Sequence, residues 1–451
     1  MPPAAHSALL ALIQHYKQRL ADREARLSQN STHSSKPPSS EHPHAKPARP
    51  RPKALHGCGG QPGHAKHQRP LLAPEQCPQV IPCVPPTCRR CAAPLSGTDP
   101  QPLRHQVWEV PAIKPGVTQY QRQRLTGRCG TVTGGALPAG VPTGQAGPRL
   151  NAFRGLLLSC FRQSQRRAAL FLRRIRNQPA SPGWMVSLQK RAAQAVQPAY
   201  DELVRQRQQQ AVRYIDESPS KEGKTTRWIW TFGAAAFTLF ATRPSRAADL
   251  LTDWLGQAYT GLIHGDRARM SWSFGRRQWC WAHLTRDMQG LIDRRGPTAR
   301  RLGRDLMRST KEWFAWWENV RDGTLSRAAF VEQLKPIHAE VESLLWRGYF
   351  NARVRGFGKG LCEPRQNLWT LVAVEGVEPT NKAAEPALRQ AVIWRTLSFG
   401  TQSAAGSRFV ERLLTVVPTC RRQKRNVLAW RVDAVAARGA GKTVPSLLSG
   451  V

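Results

Sequence analysis

Residues 211–218 read AVRYIDES, and this stretch decides the fold: a short β-prone run, 211–215, leads into two adjacent acids, Asp216 and Glu217. A Lys/Gly-rich turn follows, and then 227–232 and 236–241 read as two further strands, making a three-stranded meander. Residues 245–255 read as a helix with Ala247, Leu250, Leu251, Trp254 and Leu255 on its apolar side. Residues 261–265 form a fourth strand that ends at Asp266, and 279–291 begins extended and turns helical.

Strand, strand, strand, helix, strand, helix, with acids at the ends of the first and fourth strands, is the element order of an RNase-H-like α/β core. We assign that core to residues 211–395. Residues 297–370 interrupt it with helical, tryptophan-containing sequence, read as an inserted helical domain; Trp313, Trp316 and Trp317 gather on one helix face and are expected in a core.

Upstream, residues 1–29 read as an amphipathic helix with Leu9, Ile13, Tyr16, Leu20 and Leu27 near coiled-coil spacing. Such a leucine-zipper-like helix implies a homo-oligomer, and a lone helix packed on its own chain is the alternative. Residues 30–55 are a Ser, Pro, His and Lys/Arg-rich linker expected to be disordered. Residues 56–147, with turn formers and cysteines, form a small irregular module, and 148–210 a basic helical segment whose 162–176 stretch sets arginines among Leu, Phe and Ile. Residues 396–430 form a C-terminal segment, and 431–451 a tail expected to be disordered.

The chain has 451 residues and a formal net charge of +39, from 68 Lys and Arg against 29 Asp and Glu. So large an excess points to a polyanion, and nucleic acid fits best because each neutralised phosphate releases counterions. No apolar run approaches the roughly 20 residues needed to span a bilayer, and the first residues lack the pattern of a signal peptide. The expected location is cytoplasmic. Ten cysteines then read as buried thiols or metal ligands rather than disulfides.

Transfer of DNA strands needs an attacking and a leaving oxygen held in line at one phosphorus, and two Mg²⁺ ions can clamp both. Carboxylates suit Mg²⁺, which prefers hard oxygen donors and retains several waters. Asp216 and Asp266 would meet only if the first and fourth strands are neighbours, and Glu385 would arrive from a later helix. An acid at a strand end is otherwise a cap or a turn residue.

Six stretches of the chain resemble the IS66 family of bacterial insertion-sequence transposases, of the DDE type. They are LSQNSTHSSKPPSSE (27–41), GGQPGH (59–64), PPTCRRC (85–91), IDES (215–218), HGDR with QWCWAHLTRD (264–267 and 278–287), and VEPTNKAAEPALR (377–389) continuing through residue 428. The third resembles the first cysteine pair of the family's zinc-finger-like module. The fourth and fifth resemble the segments of the first and second catalytic aspartates, and the sixth that of the catalytic glutamate. The resemblance implies Mg²⁺-dependent cleavage at element ends and transfer of the freed 3′-OH to target DNA, with Asp216, Asp266 and Glu385 as catalytic metal ligands. It also implies binding to the element's terminal repeats, and with that a place on the bacterial nucleoid.

The chain departs from the family pattern at two places. Asn381-Lys382 and Glu385-Pro386 stand where the family has Asn-Asn and Glu-Arg, and a proline in mid-helix would disturb the third ligand. In the zinc-finger-like module Cys88, Cys91 and Cys129 are candidate Zn²⁺ ligands, with Thr126 or Gly127 where the family has its other cysteine. Cys83, Cys77, His56, Cys58 and His64 are the candidates for a fourth ligand. Cys280 and His283 take a supporting role near the second acid, and Arg389, Arg395 and Arg408 are candidate phosphate contacts. A catalytically inactive copy acting as a DNA-binding protein or repressor is the alternative to a working enzyme.

Overall fold

The β-branched and aromatic residues between 212 and 243 favour extended backbone and build the central sheet. Strand β3 (Val212–Glu222) pairs antiparallel with β4 (Thr225–Gly233), from Tyr214↔Gly233 to Glu222↔Thr225, and β4 pairs antiparallel with β5 (Thr238–Arg243). A tight turn with Gly223 at φ 58° joins the first pair, a left-handed conformation that favours glycine. On its other side β3 runs parallel to β6 (Leu262–Gly265), which runs parallel to β7 (Arg277–Trp279). The resulting five-stranded mixed sheet has the order β5-β4-β3-β6-β7. Two short strands before it, β1 (Arg124–Thr126) and β2 (Val132–Gly134), form a separate antiparallel hairpin.

This computed structural model describes residues 70–448, except 295, 382 and 383, and scattered helical positions between 9 and 23. Two units divide the chain: His44–Lys114, and Met1–Pro43 together with Pro115–Val451. Their boundary falls inside the stretch 56–147 that the sequence suggests as one module. The linker at 30–55 and the motif at 59–64 lie outside the described residues. Of the N-terminal helix, Leu9, Ile13, Tyr16 and Leu20 are helical and exposed, while Leu27 lies outside the described residues.

Helices α1 (Pro148–Ser159), α2 (Gln165–Ile175) and α3 (Pro182–Gln206) precede the sheet, and α4 (Ala248–Leu255) connects β5 to β6. After β7 come α5 (Trp281–Ile292), α6 (Pro297–Asp322), α7 (Arg327–Phe350), α8 (Arg355–Cys362) and α9 (Thr370–Ala373). The chain closes with α10 (Glu385–Ser398), α11 (Ala404–Arg422) and α12 (Val427–Gly439). Among the described residues, no helix is long and apolar enough to cross a membrane.

Two hydrophobic cores result. One lies between the sheet and helices α1–α3 and α10–α12, around Trp230, Phe237, Phe240, Leu413 and Trp430. The other gathers α5–α9 around Trp281, Trp313, Phe330 and Trp369, where the rings of Trp281 and Trp313 meet edge to face at 5.0 Å. Trp313 and Trp317 are buried and Trp316 is partly so, which agrees with reading the three as core residues.

Two expectations need correction. The first strand extends through Glu222, so Asp216 lies within β3 rather than at its end; beyond Tyr214 the strand continues as one arm of the hairpin with β4. The tail expected to be disordered from 431 is instead helical to Gly439 in α12, and the segment after it is packed. Leu447 is fully buried, Ser446 donates to the Glu202 carboxylate, and Gln423 donates to the Leu447 carbonyl at 2.6 Å. Trp430, Ala434 and Leu447 supply the apolar contacts that hold it.

The outer edge of β5 is satisfied in an unusual way. Thr238 N–H donates to Thr419 Oγ1 at 3.1 Å, Phe240 N–H to Thr415 Oγ1 at 3.0 Å, and Thr242 N–H to the Glu411 carboxylate. Four helical residues advance about 6 Å and two strand residues about 6.7 Å, so acceptors at i and i+4 on α11 match alternate donors on β5. A helix thus does the work of a sixth strand and leaves no open template at this edge. Replacing Thr415 by Val keeps its shape and leaves the buried Phe240 N–H without an acceptor. We expect a loss of about 1–3 kcal/mol, read as a lower urea midpoint at unchanged slope.

Candidate active site

The parallel register of β3 and β6 places the first two acids. The last registered pair is Tyr214↔His264, and Asp216 and Asp266 each stand two residues beyond it. The approach is close: a Cβ on Gly265 would lie 3.1 Å from the Ile215 carbonyl oxygen. Asp216 Oδ1 accepts from the Glu217 N–H and Asp266 Oδ1 from the Ala268 N–H, each at 2.9 Å. One oxygen of each carboxylate is thereby oriented by local backbone.

Glu385 comes from a distant part of the sequence and is the first residue of α10, with Pro386 in the first turn. Proline is tolerated there because that N–H has no intrahelical partner to lose. The expected mid-helix disturbance does not arise. The segment before α10 is fastened to the sheet: Asn381 Nδ2 donates to the Ile215 carbonyl at 3.0 Å, and the Glu385 N–H returns to the Asn381 carbonyl at 3.0 Å. Trp281 N–H to the Pro379 carbonyl, at 2.9 Å, ties the same segment to α5. Lys382 lies outside the described residues.

Electrostatics show that these acids share one neighbourhood. Burial, and then the charges of Asp266, Glu217 and Glu385, hold the Asp216 carboxyl well above the usual range. Glu217 is pushed up to about 8 by burial and by Asp266, against the opposing pull of Arg246 at 3.6 Å. Successive strand residues face opposite sides, yet Asp266, beyond the end of β6, acts on both. Glu217 Oε2 is buried with no hydrogen-bond partner among the described residues. The carboxyl oxygens of Asp216, Glu217, Asp266 and Glu385 are the kind of donor Mg²⁺ prefers.

Cys280 and His283 adjoin the same group. Cys280 caps α5, accepts at Sγ from the Asn381 N–H at 3.2 Å, and lies 3.8 Å from Glu385 Oε1. Burial raises its thiol to about 12. His283 Nδ1 lies 3.7 Å from the same Glu385 oxygen, and burial lowers its basicity while Asp266 and Glu385 oppose that shift.

The other candidates from the sequence have contacts of their own. Arg395 donates to the Pro219 carbonyl, and burial lowers its pKa; Arg408 forms an ion pair with Glu411 at 2.7 Å, on the helix that seals β5. Arg389 is exposed on α10. Cys88 and Cys91 occupy a turn in the smaller unit, closed by Cys88 N–H to the Ala93 carbonyl at 2.9 Å and Ala92 N–H to the Cys88 carbonyl at 3.0 Å. Backbone N–H groups of Arg90 and Cys91 lower the Cys88 thiol. Cys129 lies in the β1–β2 turn of the larger unit, its thiol lowered by Thr131. Cys77 and Cys83 each face a nearby backbone carbonyl, and His56, Cys58 and His64 lie outside the described residues.

Sequence reasoning gave no role to Glu217, Asn381 or Arg246. Glu217 stood in view beside Asp216, but no local pattern shows that a strand neighbour facing the other way is buried beside Asp266. Asn381 would have needed the 166-residue contact to Ile215 to be known in advance.

Comparison with known families places the chain. A family model described as Transposase IS66 family matches residues 144–408, which contain every acid of the cluster with Cys280 and His283. A second model, of a family of unknown function (DUF6444), matches residues 4–70. No curated protein matches the chain. For the site itself, Asn381→Ala removes the clamp between the 377–384 segment and β3. Its expected cost is about 1–3 kcal/mol, measurable by urea unfolding.

Proposed function

The chain belongs to the IS66 transposase family, and from that membership we propose that it is a DNA transposase which cleaves at the ends of its element and transfers the 3′-OH to target DNA. The observation that carries this reading is the convergence of Asp216, Asp266 and Glu385 from β3, the end of β6 and the first turn of α10. The strand order β5-β4-β3-β6-β7, with three antiparallel strands followed by two parallel to the central one, supports an RNase-H-like core, with the helices from α6 to α9 as its insertion.

Asp216, Asp266 and Glu385 would hold the metal pair that the family implies, and the mutual repulsion of the metal-free acids fits that assignment. When bound, two Mg²⁺ ions supply Lewis-acid stabilisation to the attacking and leaving oxygens. The chain's own residues do the placing. Local N–H groups orient Asp216 and Asp266, Asn381 fixes the segment that delivers Glu385, and the β3–β6 register sets the spacing of the two aspartates.

DNA is the proposed partner. Arg166, Arg167, Arg173 and Arg174 lie exposed on α2, opposite the buried Ala168, Ala169 and Leu172, and form no ion pair among the described residues. That face suits sequence-independent phosphate contact. The Cys88–Cys91 turn, whose N–H groups point at a thiol, supports reading it as half of a zinc-finger-like module. The exposed Leu9, Ile13, Tyr16 and Leu20 support oligomerisation through the N-terminal helix.

The place of Pro386 in the first helical turn favours a working enzyme over a disabled copy. The test is Mg²⁺-dependent cleavage of a supercoiled plasmid carrying the element's own ends. Asp216→Asn and Asp266→Asn should each lower cleavage by at least about 100-fold, the scale of loss for misplaced catalytic groups, whereas Pro386→Arg should leave it within a few-fold. Cleavage that survives Asp216→Asn would refute the assignment. Cleavage that appears only with Pro386→Arg and Lys382→Asn would make this a disabled copy whose remaining function is DNA binding.

A further inference from the structure

We propose that Cys280, His283 and Glu385 form a second cation site, suited to a thiophilic divalent ion of the Zn²⁺ class and adjoining the all-oxygen site of the aspartates. The three residues come from two helix starts that face each other. Cys280 caps α5, His283 lies in its first turn, and Glu385 opens α10. Each offers one ligand atom, and the three atoms all lie within 4.8 Å of one another.

The spacing is close to that of a tetrahedral site. Zinc bonds of about 2.3 Å to sulfur and about 2.0–2.1 Å to nitrogen and oxygen put neighbouring ligand atoms about 3.3–3.6 Å apart at tetrahedral angles. Here Sγ stands 3.8 Å and Nδ1 3.7 Å from Glu385 Oε1, a few tenths of an ångström above that spacing, and Sγ and Nδ1 lie within 4.8 Å of each other. One sulfur, one imidazole nitrogen and one carboxylate oxygen make a donor set that suits Zn²⁺ and that Mg²⁺ does not select. Three protein ligands leave a fourth position for water, the pattern of an open zinc site.

Surrounding contacts prepare the ligands. The Asn381 N–H already points at Cys280 Sγ from 3.2 Å, a contact that stabilises a metal-bound thiolate. His283 Nδ1 is buried with no hydrogen-bond partner among the described residues, leaving its ring nitrogen available to an ion. On binding, the Cys280 sulfur forms its bond to the metal and the thiol proton passes to solvent. Because Glu385 belongs to both sites, an ion held here engages one oxygen of the third acid. This connection rests on the transposase reading, while the binding itself does not.

Co²⁺ is the probe, since thiolate-to-cobalt charge transfer gives a near-ultraviolet band. The full chain is used with Cys88→Ala, Cys91→Ala and Cys129→Ala to lower background from exposed thiols, and Cys280→Ser and His283→Gln are compared with it. The expected result is a sulfur band saturating at one equivalent, undisturbed by excess Mg²⁺, abolished by Cys280→Ser, and shifted to at least about 10-fold weaker affinity by His283→Gln. Circular dichroism melts establish that each variant is folded, and if Cys280→Ser is not, His283→Gln decides. A band absent from the background protein, unchanged in folded Cys280→Ser, or saturating at unaltered affinity in His283→Gln would overturn the proposal. The readout uses no DNA, so failure of plasmid cleavage bears on the transposase reading alone.

Discussion

The parallel pairing of β3 with β6 is the constraint on which the rest of the structure depends. It sets Asp216 and Asp266 at matching distances beyond the pair Tyr214↔His264, and it does so with backbone hydrogen bonds that are indifferent to the charge being assembled. The acids themselves oppose the arrangement. Burial and mutual repulsion raise Asp216 and Glu217 far above ordinary carboxylates, so the metal-free fold carries an electrostatic cost at the place where function is proposed to lie. Sites that hold like charges close together must be stabilised elsewhere in the molecule.

That stabilisation comes from both sides of the sheet. On one edge, α11 meets β5 with Glu411, Thr415 and Thr419, replacing a strand by side-chain acceptors at helical spacing. On the other, Gln278 in β7 donates to the Leu368 carbonyl at 2.9 Å and accepts from the Leu371 N–H at 2.7 Å, joining the sheet to the tryptophan-rich second core. Trp281, which opens α5, is buried in that core and donates to the Leu368 carbonyl. The helices after α5 therefore fix the start of the helix that carries Cys280 and His283. Residues far from the acids contribute by holding their neighbours still.

Much of this order was legible in the sequence because it rests on local chemistry. The β-prone runs of 227–232 and 236–241, the apolar stripe of 245–255 and the change from extended to helical near 280 each leave a local mark that tertiary context did not override. Asp216, Asp266 and Glu385 were singled out because short motifs surround them. What escaped was set by long-range packing. Glu411, Thr415 and Thr419 look like the polar stripe of an exposed helix, and only the unpaired edge of β5 makes them buried acceptors. The tail after 431 looks weakly apolar, yet Trp430 and Leu447 suffice to pack it. No turn rule places Cys88 and Cys129 in separate units, and no strand rule shows that β3 continues past its acids as a long hairpin arm.

Binding of Mn²⁺, followed by its electron paramagnetic resonance signal in the full chain, tests most directly whether the three acids share one site. If they do, Asp216→Asn, Asp266→Asn and Glu385→Gln should each weaken Mn²⁺ binding at least about 10-fold, on the scale seen when groups around a metal are altered, with the variants still folded. Binding that survives unchanged in any one of the three would show that the acid concerned stands outside the site, and the account built on their convergence would fail.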